Sequence, residues 1–277
     1  MDGCTRQNPA YRPAKGRAPT WGLFLCVGLF ACASAIAFAP PTAGAAPADE
    51  WRPDVKRARQ YAKHRSGDVR FAIRDPSGRW RDFHGGRASP MASTIKVMLL
   101  AAYLRQGSVR DSALHEDDRK LLGPMIRRSD NAAATRVRDI VGEAAIRRVA
   151  RDGRMRHFRY SSTWGLSRAS ARDGASLMSR FADVVPKRHE GYAKHLLATI
   201  ASSQRWGVAR TRPRGWKLFF KGGWGVGTGK VNHQIAFLQR HDSRIALAIH
   251  TEFGPSHAYG KKTLKGVASR LLRGLGR

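Results

Sequence analysis

The chain has no cysteine after Cys32; its three cysteines, Cys4, Cys26 and Cys32, all fall near the N-terminus. The remainder can form no disulfide and offers no thiol nucleophile, so packing must supply its stability. Acidic residues are scarce, with 20 Asp and Glu against 51 Lys and Arg in 277 residues, a net charge of +31. The basic residues are spread along the chain and Arg outnumbers Lys throughout, so the charge reads as a composition bias. No zinc-finger spacing or aromatic ribonucleoprotein signature occurs, and no specific nucleic-acid partner is expected. The ten histidines form no H-E-x-x-H and no paired ligands, so neither a metal nor another cofactor is expected. Gly225-Val-Gly-Thr-Gly-Lys230 misses the P-loop spacing and its final Ser or Thr. No G-x-S-x-G elbow and no internal repeat is present.

What is there begins with a leader. Met1 to Thr20 is polar and carries Arg6, Arg12, Lys15 and Arg17. Trp21 to Ala39 is an uncharged, mostly apolar run, broken by Pro40-Pro41 and followed by the small residues Ala43-Gly44-Ala45. That order matches a secretory signal, so residues 1–46 are read as a leader and the product as secreted or extracytoplasmic. The apolar run is also just long enough to serve as an uncleaved membrane anchor. Outside a cell, a strongly basic protein would attract an anionic cell-wall polymer, anionic lipid or stray nucleic acid by long-range forces. Residues 47–277 are long enough for one large domain with a substantial core, expected to be monomeric.

Strand patterns lie at both ends of that domain. Asp68 to Arg74 alternates, Asp75-Pro76-Ser77-Gly78 is a turn, and Arg79 to His84 returns, which predicts a hairpin. Strands resume at Trp216 to Lys221, His233 to Arg240 and Arg244 to Thr251, the last two apolar on both faces as central strands are. Helices are predicted over Ala48 to Gly67, Ser93 to Leu104 and Tyr259 to Leu275. The stretch from Glu116 to about Gln204 is helical in pattern, punctuated by Gly123-Pro124, Gly142, Gly153 and Gly165. The expected fold is therefore α/β: a mainly antiparallel sheet flanked by helices, with an all-helical part inserted over roughly residues 105–210.

Three short groups carry chemistry. Lys96 stands one position before the apolar stretch Val97 to Tyr103, where an unpaired ammonium is costly and its pKa should fall. Ser93 lies three residues earlier on the same helix face, at the helix start, where backbone N–H groups can stabilise an oxyanion. A serine beside such a lysine is an activated nucleophile. Taken alone, Ser93 is equally an N-cap and Lys96 a lysine that snorkels to water. Ser129-Asp130-Asn131 would by itself be a helix cap. Lys221-Gly222-Gly223 ends a strand, where two glycines let the backbone approach a ligand or simply turn.

In this order and context the three groups resemble the S-x-x-K, S-D-N and K-[ST]-G signature of class A β-lactamases and penicillin-binding proteins. The likeness spans roughly the whole of the chain after the leader and implies a serine hydrolase of that fold. It implies that Ser93 attacks an amide carbonyl, that Lys96 is base or proton relay, and that Ser129 passes the proton to the leaving nitrogen. Asn131 would orient Lys96 or the substrate amide, Lys221 would hold the substrate carboxylate, and the N–H groups of Ser93 and Trp224 would form the oxyanion hole. The implied substrate is a β-lactam or a D-alanyl peptide. Acylation is common to a β-lactamase, a D,D-peptidase and an esterase, and a non-catalytic wall-binding protein of the same fold is the reading from another class. Three departures stand out. Gly222 replaces the usual Ser or Thr. Ser93 and Ser129 are closer in sequence than a class A enzyme leads one to expect. The loop expected to carry the deacylating Glu, Tyr160 to Arg172, holds no carboxylate; Asp173 follows it and is read as a first-turn residue of the next helix. Slow deacylation is the expected consequence.

Overall fold

Strands β1 (Asp68–Arg74) and β2 (Trp80–Phe83) form the hairpin that the Asp75 to Gly78 turn predicts, with Phe71 opposite Phe83. The computed structural model describes residues 51–225 and 230–275. The leader, its cysteines and the start of the predicted first helix lie outside the described residues. So does most of the glycine-rich turn after Gly225. Helix α1 (Val55–Lys63) begins later than the apolar spacing suggests, because Pro53 precedes it and the Asp54 side chain caps it by accepting from the Arg57 N–H at 3.0 Å.

A short strand β3 (Ala88–Pro90) leads into a 3₁₀ turn, Ala92–Ile95, that runs on into helix α2 (Lys96–Leu104). Every residue of α2 is buried, as its unbroken apolar run requires. Helices α3 (Gly107–Arg110), α4 (Glu116–Arg127) and α5 (Asn131–Asp152) follow, and α5 kinks at Gly142, whose φ is +69°. The helical pattern read through to Gln204 is interrupted by a strand that periodicity did not reveal. This is β4 (Arg168–Ser170), three residues long, paired with β3 and bridged at Arg168 to Arg159. Helices α6 (Ala171–Ser179), α7 (Phe181–Val184) and α8 (Lys187–Ala198) complete the insertion.

Strands β5 (Lys217–Gly225), β6 (Val231–Arg240) and β7 (Ser243–Glu252) then return, and helix α9 (His257–Leu271) closes the chain. The five-stranded sheet has the order β2-β1-β7-β6-β5 and is antiparallel throughout. Both ends of the chain meet where β1 pairs with β7, with Ala72 opposite Ala248. This is the mixed α/β architecture anticipated, with β6 and β7 central and almost wholly buried.

Two details of the sheet position the site. Strand β5 is one of its edges, free on the side that meets the 3₁₀ turn. The period-2 alternation also gives β5 two different faces. Ile235, opposite Lys221, points at α6, since a Cβ on Gly174 would stand 2.7 Å from it. Its neighbour Gln234, opposite Gly222, points the other way, toward Gly207. Lys221 and Gly223 therefore face the helical part, and Gly222 and Trp224 face the side of α9.

Candidate active site

The turn that carries Ser93 is tightly specified. Ala92 has a φ of +46°, a left-handed conformation uncommon outside glycine. The Thr94 hydroxyl and N–H both donate to the Met91 carbonyl, at 2.7 and 3.1 Å, and the Met91 N–H donates to the Ser167 carbonyl at 2.7 Å. The Lys96 N–H reaches back to the Ser93 carbonyl. Side chains three apart in a 3₁₀ turn eclipse one another, so Ser93 and Lys96 share one face more closely than in an α-helix. The sequence led us to place Ser93 at the first turn of an α-helix; it lies one step earlier, in the 3₁₀ turn. Ser93 is partly exposed and Lys96 fully buried.

The ammonium of Lys96 is surrounded by acceptors. Its Nζ donates to the Ser129 carbonyl at 2.6 Å, to Ser129 Oγ at 3.2 Å and to Asn131 Oδ1 at 2.8 Å. Ser129 can present both oxygens because its own φ is +60°. Pro124 in α4 sets up this turn, its carbonyl accepting the Arg128 and Asp130 N–H groups as α4 ends. Asp130 caps α5 through a 2.8 Å bond from the Ala133 N–H. Burial pushes the Lys96 pKa down to about 7, opposed by the nearby Asp130 carboxylate.

Lys221 reaches the same hydroxyl from the sheet. Its Nζ donates to Ser129 Oγ at 3.0 Å and to the Gly222 carbonyl at 2.7 Å. Complete burial holds its pKa well below the ordinary lysine value, with repulsion from Lys96 acting in the same direction. One serine oxygen thus links two lysines that both resist protonation. A neutral amine there can take a proton from a hydroxyl, and a hydroxyl between two amines can pass one on.

Gly223 is the point where the sheet and the turn that carries Ser93 touch. A Cβ at this position would lie 2.8 Å from the Ser93 nitrogen and 2.9 Å from the Thr94 nitrogen. Only glycine lets the edge strand lie this close. The contact brings the backbone of β5 against the turn that carries Ser93.

The other face of β5 explains why Gly222 stands where Ser or Thr is usual. A Cβ on Gly222 would meet the Trp206 ring at 3.2 Å, so the indole occupies the space of the missing side chain. Gln234 holds that indole in place by accepting from the Val208 N–H at 2.7 Å and donating to the Trp206 carbonyl at 2.9 Å. Trp206, Trp224 and His257 form an aromatic wall with ring centroids 5.4–5.7 Å apart. A cavity of about 380 Å³, lined in part by Trp224, Lys230, Asn232 and His257, opens beside it.

A second tryptophan occupies the loop without a carboxylate. The Trp164 ring lies 4.9 Å from Lys96 Nζ, and its Nε1 donates to Thr135 Oγ1 at 3.1 Å. Asp173 takes no part in this. It is buried at the start of α6 in a reciprocal capping box with Ser170 and accepts from His157. Trp164, Trp206 and Gln234 were not singled out by sequence reasoning, since no local pattern marks them. Among the described residues, no group of three or more His, Cys, Asp or Glu is placed to hold a metal ion.

The site thus gathers Ser93, Lys96, Ser129, Asn131, Lys221 and Gly223, with Gly222 and Trp224 on the reverse face of the same strand. A model of the beta-lactamase enzyme family matches residues 117–275, more than half of the chain. The chain belongs to the beta-lactamase enzyme family. The family match takes in Ser129, Asn131 and Lys221 to Trp224 but begins after Ser93 and Lys96, which the geometry alone adds to them. Similar solved structures include the beta-lactamase from Sphaerobacter thermophilus, 20% identical with a TM-score of 0.69, covering 79% of this chain and 95% of that one. A class A beta-lactamase from Mycobacterium abscessus is 17% identical with a TM-score of 0.68, covering 79% and 98%. The structure described as PBP-A is 15% identical with a TM-score of 0.65, covering 78% and 93%. At these identities the likeness establishes the fold shared by beta-lactamases and a penicillin-binding protein. No curated protein sequence matches the chain.

Proposed function

We propose that this family member is an exported active-site serine hydrolase that opens β-lactam amides through an acyl-Ser93 intermediate and releases the acyl group slowly. The observation that carries the reading is Ser129 Oγ set between Lys96 Nζ at 3.2 Å and Lys221 Nζ at 3.0 Å, two amines that burial keeps from protonation, the Lys96 pKa being brought to about 7. Neutral Lys96 takes the Ser93 hydroxyl proton as Oγ bonds to the carbonyl carbon, and the N–H groups of Ser93 and Trp224 receive the oxyanion. Collapse breaks the C–N bond. Ser129 gives its proton to the leaving nitrogen and is reprotonated by Lys96, so the amines end as they began. Lys221 attracts the substrate carboxylate, which in turn favours its charged form.

Deacylation needs a water that is held and deprotonated, and a positioned general base contributes about 10²–10⁴-fold to such a step. The loop from Tyr160 to Arg172 supplies no carboxylate, and Trp164 covers Lys96 from that side. Release is therefore the slow step. With Trp206 in place of a substrate-binding hydroxyl, recognition of the carboxylate falls mainly on Lys221. The same acylation chemistry serves a D-alanyl peptide, and the PBP-A likeness keeps a D,D-peptidase as the second reading. Stopped-flow kinetics with a chromogenic cephalosporin, run beside intact-mass measurement, tests the proposal. The expected result is a stoichiometric burst followed by slow turnover with the adduct present. Rapid steady-state hydrolysis with no detectable adduct would contradict it.

A further inference from the structure

Five arginines from separate stretches of the sequence come together in space. Arg74 at the end of β1, Arg154 and Arg156 beyond α5, and Arg172 and Arg180 at the two ends of α6 line one cleft of about 550 Å³. It shares no lining residue with the Ser93 site. Arg172 is paired with Asp82 at 3.2 Å and Arg180 with Asp183 at 3.0 Å. Arg74, Arg154 and Arg156 face no carboxylate among the described residues. The cleft's own acid, Asp173, is buried and already accepts from Ser170 and His157. Guanidinium groups cannot shed their charge by deprotonation, so the repulsion among them, weakened by water and salt at the exposed Arg154, Arg156 and Arg172, is further relieved by a bound anion. Arg154 is also held at a φ of +52°, a conformation that an arginine adopts uncommonly.

The cleft contains one more recognition element. Trp80 is half-buried in its wall, with the Arg172 guanidinium 5.5 Å and the Arg74 guanidinium 6.0 Å from the ring centroid. Guanidinium forks match phosphate oxygens bidentately, and an indole face takes a flat ring or the apolar face of a sugar. The cleft's five guanidiniums are offset by Asp82, Asp183 and Asp173, and the excess of two positive charges is matched by the charge of about −1.5 to −2 on one phosphate monoester. The volume suits a ligand of nucleotide or sugar-phosphate size.

We infer that this cleft is a second binding site, for a ring-bearing ligand that carries phosphate. The ligand is either a free small molecule or one repeat of a phosphodiester polymer. The test is calorimetric titration of the full chain with inorganic phosphate, glucose 1-phosphate, ADP and poly(N-acetylglucosamine 1-phosphate), a phosphodiester polymer with a ring in each repeat. Three variants accompany the wild type: Arg154→Gln/Arg156→Gln in the cleft, Trp80→Ala, and a charge-matched control, Arg214→Gln/Lys217→Gln, on exposed residues elsewhere. Circular dichroism checks that each is folded. Saturable 1:1 binding of ADP or the polymer repeat is expected, about tenfold or more weaker in the cleft variant and unchanged in the control. Trp80→Ala should weaken ADP and leave inorganic phosphate as it was. Preference for ADP identifies a free ligand, and preference for the polymer identifies the polymer. No saturable binding of any probe, or equal losses in cleft variant and control, would overturn the inference. So would equal effects of Trp80→Ala on ADP and phosphate.

Discussion

If neutral Lys96 is the base, acylation must follow its titration. Burial brings the Lys96 pKa to about 7, so the catalytic form is lost as pH falls through 7. About half of the protein carries neutral Lys96 at pH 7 and roughly 1% at pH 5, which lowers acylation by about 50-fold; from pH 7 to 9 the gain is less than about twofold. Fluorescent penicillin, mixed with the protein at each pH by stopped flow, reads the acylation rate directly. Lys96→Ala should flatten this profile and lower the rate at pH 8 by about 10²-fold or more. A residual rate is expected, because Lys221 Nζ stays 3.0 Å from Ser129 Oγ and can serve as a poorer relay. The two amines share one hydroxyl, so the observed midpoint belongs to the pair. A flat wild-type profile between pH 5 and 9, or a midpoint near the ordinary lysine value of 10.5, would refute the reasoning. An unchanged rate in Lys96→Ala would do the same.

Three further outcomes follow from the geometry. Trp164→Glu restores a carboxylate on the loop beside Lys96 and should speed release of the acyl group by about tenfold or more, while the new charge moves the acylation midpoint upward; adduct lifetime by mass spectrometry is the check. Gly223→Ala would drive a methyl group to within 2.8 Å of the Ser93 nitrogen, so penicillin labelling should fall by about 10²-fold or more while circular dichroism still shows a folded protein. His233 is buried and its pKa is lowered to about 4, so unfolding releases a group that binds protons below about 6.5. The stability it contributes is present above pH 6.5 and disappears as pH falls toward 4, up to on the order of 3 kcal/mol; urea unfolding at pH 7.5 and 4.5 should show it, with a smaller difference in His233→Gln.

The parts legible in the sequence were those with local causes. The β1–β2 hairpin follows from alternation and the Asp75-Pro-Ser-Gly turn, and the buried α2 from its unbroken apolar run. Pro53 and Asp54 set the start of α1 by local rules that outweighed its apolar spacing. Lys96 stood out because a lysine inside such a run needs a reason. Other features arise only from contacts between distant segments. The three residues of β4 pair with β3 and are too short for a periodic signal. The left-handed turns at Ala92 and Ser129 occur at residues that do not advertise them. Gly222 reads in sequence as a lost hydroxyl; its cause is Trp206, held by Gln234 from another strand. Trp164 illustrates the same limit, since the loop's lack of a carboxylate was visible but the ring above Lys96 was not.

The central claim is that Ser93 becomes acylated. Incubating the protein with benzylpenicillin, digesting it and mapping the modified peptide by mass spectrometry tests this most directly. The account predicts one penicilloyl group, on Ser93, absent from Ser93→Ala under the same conditions. No adduct with acid-quenched samples at any time, or an adduct on another residue that persists in Ser93→Ala, would contradict it.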